Sequence, residues 1–251
     1  FRSLRALETM YRCLDERRSF RLEAGAGAGK TYSLVKALQY LIDRDKRELM
    51  RRHQQIACIT FTNVARDEII ARTDRSPSVF CETNHAFCWS LIRGFQKLLR
   101  QQIVQMDAWA EKSEEVGGDL GERAVEYNLG HRSISEDRVT LHHNDVLPLT
   151  VALMSQPKFT RILADRHPII LVDEYQDTDD GWMDGIKRFL LGHDGAPLFG
   201  FFGDHWQKIY GTGCGSIEHA SITEIGKEAN FRSDAMVVEC LNRMRPDLTQ
   251  E

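Results

Sequence analysis

The sequence predicts an α/β protein in which a central, mostly parallel sheet is flanked by helices on both faces. Short apolar runs typical of buried strands alternate with amphipathic stretches that have helical spacing. The first of these runs leads directly into a glycine-rich loop and then into a helix. The chain has 251 residues, which is enough for one large domain with a substantial core.

Composition is that of an ordinary globular protein, with 42% hydrophobic and 28% charged residues. No apolar run approaches the length of a membrane span, and we expect a cytoplasmic protein whose six cysteines stay reduced. The net charge of −4 means that any nucleic-acid site must be a local groove rather than a basic surface. The histidines lack metal-ligand spacing, and the adjacent His142 and His143 are expected to diverge as solvated side chains.

Six apolar runs are predicted to form the sheet, and helices are expected between them. After the third run we expect one long helix whose apolar side extends from Phe87 to Leu99. From about residue 96 to about residue 158 the chain is polar and mostly helical in propensity, which predicts a small helical insertion. The expected domain boundaries are 1–95 and 159–251 for the two parts of the α/β domain and 96–158 for the insertion. The predicted strands are residues 20–23, 56–61, 79–83, 169–172, 198–202 and 221–225.

The glycine-rich loop has the composition of a phosphate-binding loop. Glycines allow successive backbone N–H groups to turn toward one anion, and the N-terminus of the following helix adds positive potential. Lys30 supplies a charge for the β- and γ-phosphates, and the hydroxyl of Thr31 can bind Mg²⁺. The alternative is a flexible loop that happens to precede Lys-Thr. This phosphate loop consists of Ala24, Gly25, Ala26, Gly27, Ala28, Gly29, Lys30 and Thr31.

Two carboxylates follow the fourth predicted strand, where ligands of open α/β sheets bind. Asp173 can hold Mg²⁺, and Glu174 can orient and polarise the water that attacks a γ-phosphate. The alternative is an acidic turn at a strand end. The phosphate loop favours the nucleotide hydrolase.

Polar residues also follow the last two predicted strands. Gln207, after the fifth strand, is a neutral donor that could contact a γ-phosphate. After the sixth strand, Phe231 could stack on a base and Arg232 could neutralise phosphate charge. Each of these segments taken alone is equally typical of an exposed turn.

The order and spacing of six motifs resemble those of the UvrD/Rep-like superfamily 1 DNA helicases. The resemblance covers nearly the whole chain except the insertion, and this family prefers alanine at the position of Ala24. The motifs are the phosphate loop, Thr60-Phe61-Thr62-Asn63, Thr83-Asn84-His85-Ala86-Phe87, Val172–Thr178, Gly203–Tyr210 and Asn230–Ser233.

The resemblance implies a RecA-like first motor domain that binds ATP and Mg²⁺ and contacts single-stranded DNA. By position, the catalytic residues would be Lys30, Asp173, Glu174, Gln207 and Arg232, with Thr31 and Asp173 at the metal. Tyr32 and Phe231 would join the phosphate loop, Gln207 and Arg232 in contacting the nucleotide. The single strand would contact Phe61, Thr62, Asn63, Thr83, His85 and Tyr210.

The chain departs from the family pattern in four places. No Gln precedes Gln39, although the family has an adenine-reading Gln before the phosphate loop. Val64 follows Asn63 where the family usually has Lys, and residues 211–214 replace an aromatic–Arg pair. The chain ends soon after Arg232, so we expect the second RecA-like domain to be almost entirely absent and this chain alone to be weakly active.

Mg²⁺-dependent ATP hydrolysis that drives movement along single-stranded DNA in the intact protein is the predicted function. The alternative is a nucleotide-gated DNA-binding or regulatory module, which the missing aromatic–Arg pair favours. A P-loop kinase is disfavoured, because Asp173-Glu174 followed by Gln176 suits attack by water better than transfer to an acceptor.

Overall fold

The structure is a computed structural model, and it describes residues 2–25, 28–128, 130–208, 211, 213–227 and 243. Three short 3₁₀ turns, at Asp107–Trp109, Tyr175–Asp177 and His205–Gln207, interrupt the longer elements. The helices are α1 (Arg2–Asp15), α2 (Lys30–Arg51), α3 (Asn63–Arg72), α4 (Asn84–Ile92), α5 (Gln96–Ile103), α6 (Ala110–Glu115), α7 (His143–Met154), α8 (Pro157–Arg166) and α9 (Asp180–Phe189). The strands are β1 (Phe20–Ala24), β2 (Ile56–Thr60), β3 (Val79–Thr83), β4 (Ala124–Tyr127), β5 (Ser133–Ile134), β6 (Arg138–Leu141), β7 (Ile169–Asp173), β8 (Leu198–Gly203) and β9 (Thr223–Lys227).

The main sheet has six parallel strands in the order β3-β2-β7-β8-β1-β9. All six predicted strands are present, and β1, β2, β7 and β8 are buried along their whole length. Continuous apolar runs such as those of β2, β7 and β8 are expected when helices cover both faces of a parallel sheet. Because the strands are parallel, the segments that follow β1, β7 and β8 meet at one edge.

Two hydrophobic clusters lie on opposite faces of this sheet. Successive residues of β2 alternate between them: Ile56 and Cys58 belong to the cluster under α1 and α2, and Ala57 and Ile59 to the other. This alternation is the period-two pattern of a strand that is buried on both sides. The five described cysteines are free, and only Cys214 is partly exposed.

The segment predicted as a helical insertion contains helices and also a small sheet. Its three strands have the order β4-β6-β5, and each is only two to four residues long. Strands this short, set among charged residues, leave little periodic signal in the sequence. A buried contact anchors the insertion, because the indole of Trp109 and the guanidinium of Arg132 both donate hydrogen bonds to the carboxylate of Asp145. The boundaries at 96 and 158 stay predictions.

The single long helix expected after β3 is wrong, because the chain forms α4 and α5 with a break between them. Gly94 lies in that break, and glycine costs about 1 kcal/mol relative to alanine inside a helix. At the next residue, Phe95, the backbone leaves helical geometry with φ −95° and ψ 46°.

Among the helices that the structure describes, none has the length and apolar content needed to cross a membrane.

Candidate nucleotide-binding site

The phosphate loop joins β1 to the N-terminus of α2. Gly29 adopts φ 78° and ψ 50°, a left-handed conformation that suits glycine. The 22-residue helix that begins at Lys30 places its positive end behind the loop. Ala26 and Gly27 lie outside the described residues.

Lys30 is held by residues from two other strand ends. Its Nζ donates a hydrogen bond of 2.9 Å to Oε1 of Gln207 and lies 3.3 Å from Oε2 of Glu174. The Lys30 side chain is 10% exposed. Three residues predicted from three separate motifs therefore meet at one point.

Gln176 and Asp204 close these contacts into a ring that the sequence analysis did not predict. Nε2 of Gln207 donates to Oδ2 of Asp204 over 2.6 Å, and the backbone N–H of Asp204 donates to Oε1 of Gln176. Nε2 of Gln176 donates to Oε2 of Glu174 over 2.8 Å. The only sequence signal for Gln176 and Asp204 is that they lie in the motifs Val172–Thr178 and Gly203–Tyr210. The ring couples the position of Lys30 to the turns after β7 and β8.

Glu174 adopts a backbone conformation that is unusual for a residue with a side chain. Its φ of 46° and ψ of 49° lie in the left-handed region, which costs on the order of 1 kcal/mol. The sharp turn directs the chain from the end of β7 into the 3₁₀ turn at Tyr175–Asp177. The backbone strain therefore falls on the residue predicted to act as the base.

Asp173 has the surroundings of a cation ligand. It is 5% exposed, and its Oδ1 has no hydrogen-bond partner among the described residues. Burial, and then the charge of Glu174, raise its pKa to about 7. Asp173 lines a cavity of about 540 Å³ together with Thr31, Glu174 and Gln207. Carboxylate and hydroxyl oxygens are the donors that Mg²⁺ prefers, so these residues fit that ion.

Glu23, near the end of β1, contacts side chains of the turns that carry Glu174 and Gln207, and the sequence did not predict this role. The hydroxyl of Tyr175 donates to its carboxylate, and Nε of Arg21 lies 3.2 Å from Oε1. Nδ1 of His205 lies 3.4 Å from Oε2. Burial and the charge of Glu23 raise the pKa of Tyr175, which keeps its hydroxyl a donor. One carboxylate thus ties together the turns that carry Glu174 and Gln207.

A second cavity, of about 430 Å³, has three lining residues in common with the first, Phe61, Asp173 and Asp177. Three of the predicted single-strand contacts, Phe61, Thr83 and His85, line it. Thr62 lines the nucleotide cavity instead and caps α3 by accepting from the backbone N–H of Ala65.

Asn63 begins α3 and is exposed.

The expectation that His143 is a solvated side chain is wrong. Its ring stacks on that of His85 with centroids 3.5 Å apart, and its Nδ1 lies 2.7 Å from the hydroxyl of Tyr127. Burial, and then His143, lower the pKa of His85 to about 4. Burial also lowers the pKa of His143. His85 is therefore neutral at physiological pH and offers a ring rather than a charge.

Within the segment that departs from the family pattern, the position of Gly213 is sterically constrained. Gly213 forms a β-bridge with Asp179, and a Cβ at Gly213 would overlap the backbone carbonyl oxygen of Gln176. A side chain at this position is excluded by the turn after β7.

Several predicted contacts lie outside the described residues, and one lies in the first turn of α2. Tyr32 is 50% exposed, with Nζ of Lys36 5.6 Å from its ring centroid. Tyr210, Phe231 and Arg232 are outside the described residues.

These features together define a P-loop nucleotide-binding domain: a glycine loop ahead of a helix, a buried acid at a neighbouring strand end and a parallel sheet that brings them together. The sequence model of an AAA domain family matches residues 11–213. The chain therefore belongs to this AAA domain family.

Two curated relatives are similar over most of this chain. The Gabija protein GajB of Bacillus cereus (strain HuB5-5) is 24% identical over 98% of this chain and 50% of its own length. The ATP-dependent DNA helicase UvrD1 of Mycobacterium leprae (strain TN) is 25% identical over 87% of this chain and 36% of its own length. The chain thus spans half or less of the length of these relatives.

Among solved structures, the Pif1 helicase from Candida albicans superposes with a TM-score of 0.51 at 13% identity. The match covers 96% of this chain and 43% of the helicase chain, and it bears on the fold. The predicted fold class and the resemblance to UvrD/Rep-like helicases are confirmed.

Proposed function

We propose that this chain is the nucleotide-binding part of an ATP-dependent DNA helicase or translocase and that it binds Mg²⁺-ATP at the end of β1. The observation that carries the proposal is the convergence of Lys30, Glu174 and Gln207 within hydrogen-bond or ion-pair distance. Structural ion pairs are common, but here all three groups come from segments where α/β sheets bind ligands.

Binding begins with an exchange of partners at Lys30. Its ammonium contacts one neutral amide and one carboxylate in the nucleotide-free chain. Oxygens of the β- and γ-phosphates replace those partners and form stronger charge-assisted hydrogen bonds. The exchange frees the amide of Gln207 to meet the γ-phosphate and to respond to its loss.

Hydrolysis follows from the position of Glu174. Its carboxylate accepts a proton from a water whose oxygen attacks the γ-phosphorus, and ADP leaves with the bridging oxygen. The amide of Gln176 holds that carboxylate in place. Thr31 and Asp173 would hold Mg²⁺, which neutralises phosphate charge when it is bound. Phe231 and Arg232 are proposed to contact adenine and the γ-phosphate.

Single-stranded DNA is proposed to occupy the second cavity. Asp177 and Asp179 also line that cavity, and their carboxylates disfavour phosphate groups there. Phe61 and the neutral ring of His85 suit bases, which stack on aromatic faces. We therefore infer that this cavity contacts bases, while the phosphates lie outside it. The shared wall at Phe61 would carry movement between nucleotide and DNA.

A second candidate function is a nucleotide-gated DNA-binding module without translocation. The observation that favours it is the packing of Gly213 on the turn after β7, which leaves no room there for an arginine side chain. Stimulation of ATP hydrolysis by single-stranded DNA separates the two functions, because a motor couples turnover to movement along the strand.

The test is phosphate release by the full-length protein with and without an oligothymidylate. The proposal expects hydrolysis that the oligonucleotide stimulates and that Lys30→Ala abolishes. Hydrolysis that survives Lys30→Ala would contradict the assignment of the site. Nucleotide binding without stimulated turnover would support the regulatory module.

A further inference from the structure

A buried lysine lies beside the phosphate loop and belongs to none of the six motifs. Lys227 is the last residue of β9 and is 1% exposed. The register of β9 on β1 pairs it with Ala24, the first residue of the loop. Lysine is seldom buried without a specific partner, because removing its charge from water is costly.

The amino group of Lys227 contacts the junction between the phosphate loop and α2. Its Nζ donates to the carbonyl oxygen of Gly29 over 3.2 Å and to Oγ of Ser33 over 3.0 Å. It also lies 5.4 Å from the ring centroid of Tyr32. Burial lowers the pKa of Lys227.

These contacts fix one peptide plane of the loop. The Gly29 carbonyl oxygen also accepts from the backbone N–H of Ser33 over 3.0 Å and from its hydroxyl over 3.1 Å. Because the peptide unit is planar and trans, a carbonyl held on this side directs the N–H of Lys30 to the opposite side. A donor cation on the carbonyl oxygen also polarises the unit and strengthens that N–H as a donor.

We propose that Lys227 is a positioning residue for the nucleotide phosphates: it holds the Gly29–Lys30 peptide with its N–H toward the anion and adds positive potential behind the loop. It acts through Gly29, whereas Lys30 contacts the phosphate directly. The inference rests on the proposed nucleotide site. It assigns the end of β9 a task in phosphate binding.

The test replaces Lys227 with methionine, which keeps an unbranched chain and removes the amino group. The probes are Mg²⁺-ADP and inorganic pyrophosphate, which presents phosphate without base or sugar. Both should bind about fivefold more weakly, the size of effect expected from a nearby charge that polarises the loop without contacting the anion. The shift of the ¹⁵N–¹H resonance of the Lys30 amide on pyrophosphate binding should also become smaller, which loss of a lysine that only packs against α2 would not produce.

Lys36→Met is the matched control. Lys36 approaches the same Tyr32 ring at 5.6 Å, but the described contacts do not link it to Gly29. Its loss should leave pyrophosphate affinity unchanged. Thermal unfolding of each variant is measured in parallel, and Lys227→Met should keep or raise the melting temperature because it removes a buried charge.

Wild-type pyrophosphate affinity in Lys227→Met would overturn the inference. If that variant does not fold, Ser33→Ala decides, because it removes the hydroxyl that bridges Lys227 and Gly29. The expected result is about threefold weaker binding, and unchanged binding would overturn the inference. A wild-type chain that binds neither probe would instead refute the nucleotide site itself.

Discussion

Replacing Glu174 by glutamine should tighten nucleotide binding while it stops turnover. In the nucleotide-free chain, Oε2 of Glu174 lies 3.3 Å from Nζ of Lys30, with side-chain exposures of 34% and 10%. An ion pair that is partly exposed contributes about 0.5–1 kcal/mol. The phosphates must displace this pair, so removing its charge should raise affinity for Mg²⁺-ADP by about two- to fivefold.

Titration calorimetry with Mg²⁺-ADP measures this gain without any need for turnover. Glu82→Gln is a closely matched control, because Glu82 is 33% exposed and lies 3.3 Å from Arg66, outside the nucleotide cavity. The control should leave the affinity unchanged. In the full-length protein, Glu174→Gln should lower the rate of hydrolysis about 10²–10⁴-fold. Weaker nucleotide binding in Glu174→Gln, or turnover at the wild-type rate, would refute the reasoning.

Three further predictions concern the surrounding structure. Gly213→Ala should lower the free energy of unfolding by about 1–3 kcal/mol, because the new Cβ overlaps the carbonyl of the turn after β7. The Cβ of Gly211→Ala would meet nothing within 4 Å, so this variant should change the free energy of unfolding by under about 0.5 kcal/mol. Urea titration measures both variants, and equal effects would contradict the packing argument. Burial lowers the pKa of His167 from 6.5 to about 4, so the folded state favours the neutral imidazole. The stability that this neutral form contributes to the folded state is complete above pH 6.5 and is lost as the pH falls toward 4. The wild type should therefore lose about 2 kcal/mol between pH 7.5 and pH 5 that His167→Gln does not lose; exposed His131→Gln is the control, and parallel curves for wild type and His167→Gln would exclude the linkage. Phe61→Ala should weaken oligothymidylate binding about tenfold in fluorescence anisotropy, because stacking is worth about 1–3 kcal/mol per base; an unchanged affinity would remove Phe61 from the DNA surface.

The centre of the main sheet was predictable because β1, β2, β7 and β8 are buried on both faces. A short continuous apolar run such as Ile169-Ile170-Leu171-Val172 is typical of a strand that is covered on both faces. The glycine-rich loop and the acidic turn were predictable as strand-end segments, because each directly follows a strand of the sheet; their chemical roles stay predictions. The small sheet of the insertion was not predictable, because its strands have at most four residues. The break at Gly94 is hard to see in the sequence, because the apolar periodicity of a helix continues across it.

Contacts between distant segments account for the remainder of the site. Glu23 lies in a buried strand, and its sequence position does not show that it accepts a hydrogen bond from a tyrosine 152 residues away. Lys227 approaches Gly29 only because β9 pairs with β1. Burial, and then the neighbouring ring of His143 on α7, keep His85 neutral. Such features follow from tertiary packing and have no local signature.

The nucleotide site itself is tested most directly by calorimetric titration of Mg²⁺-ADP into the wild-type chain and into Lys30→Ala. Lys30 provides the one side-chain charge that the phosphate loop directs at the ligand, and losing such a contact costs about 1.5–3 kcal/mol. The wild type should bind, and Lys30→Ala should bind about 10- to 100-fold more weakly. Equal affinities, or no binding by a folded wild-type chain, would contradict the assignment of residues 24–31 as a phosphate loop.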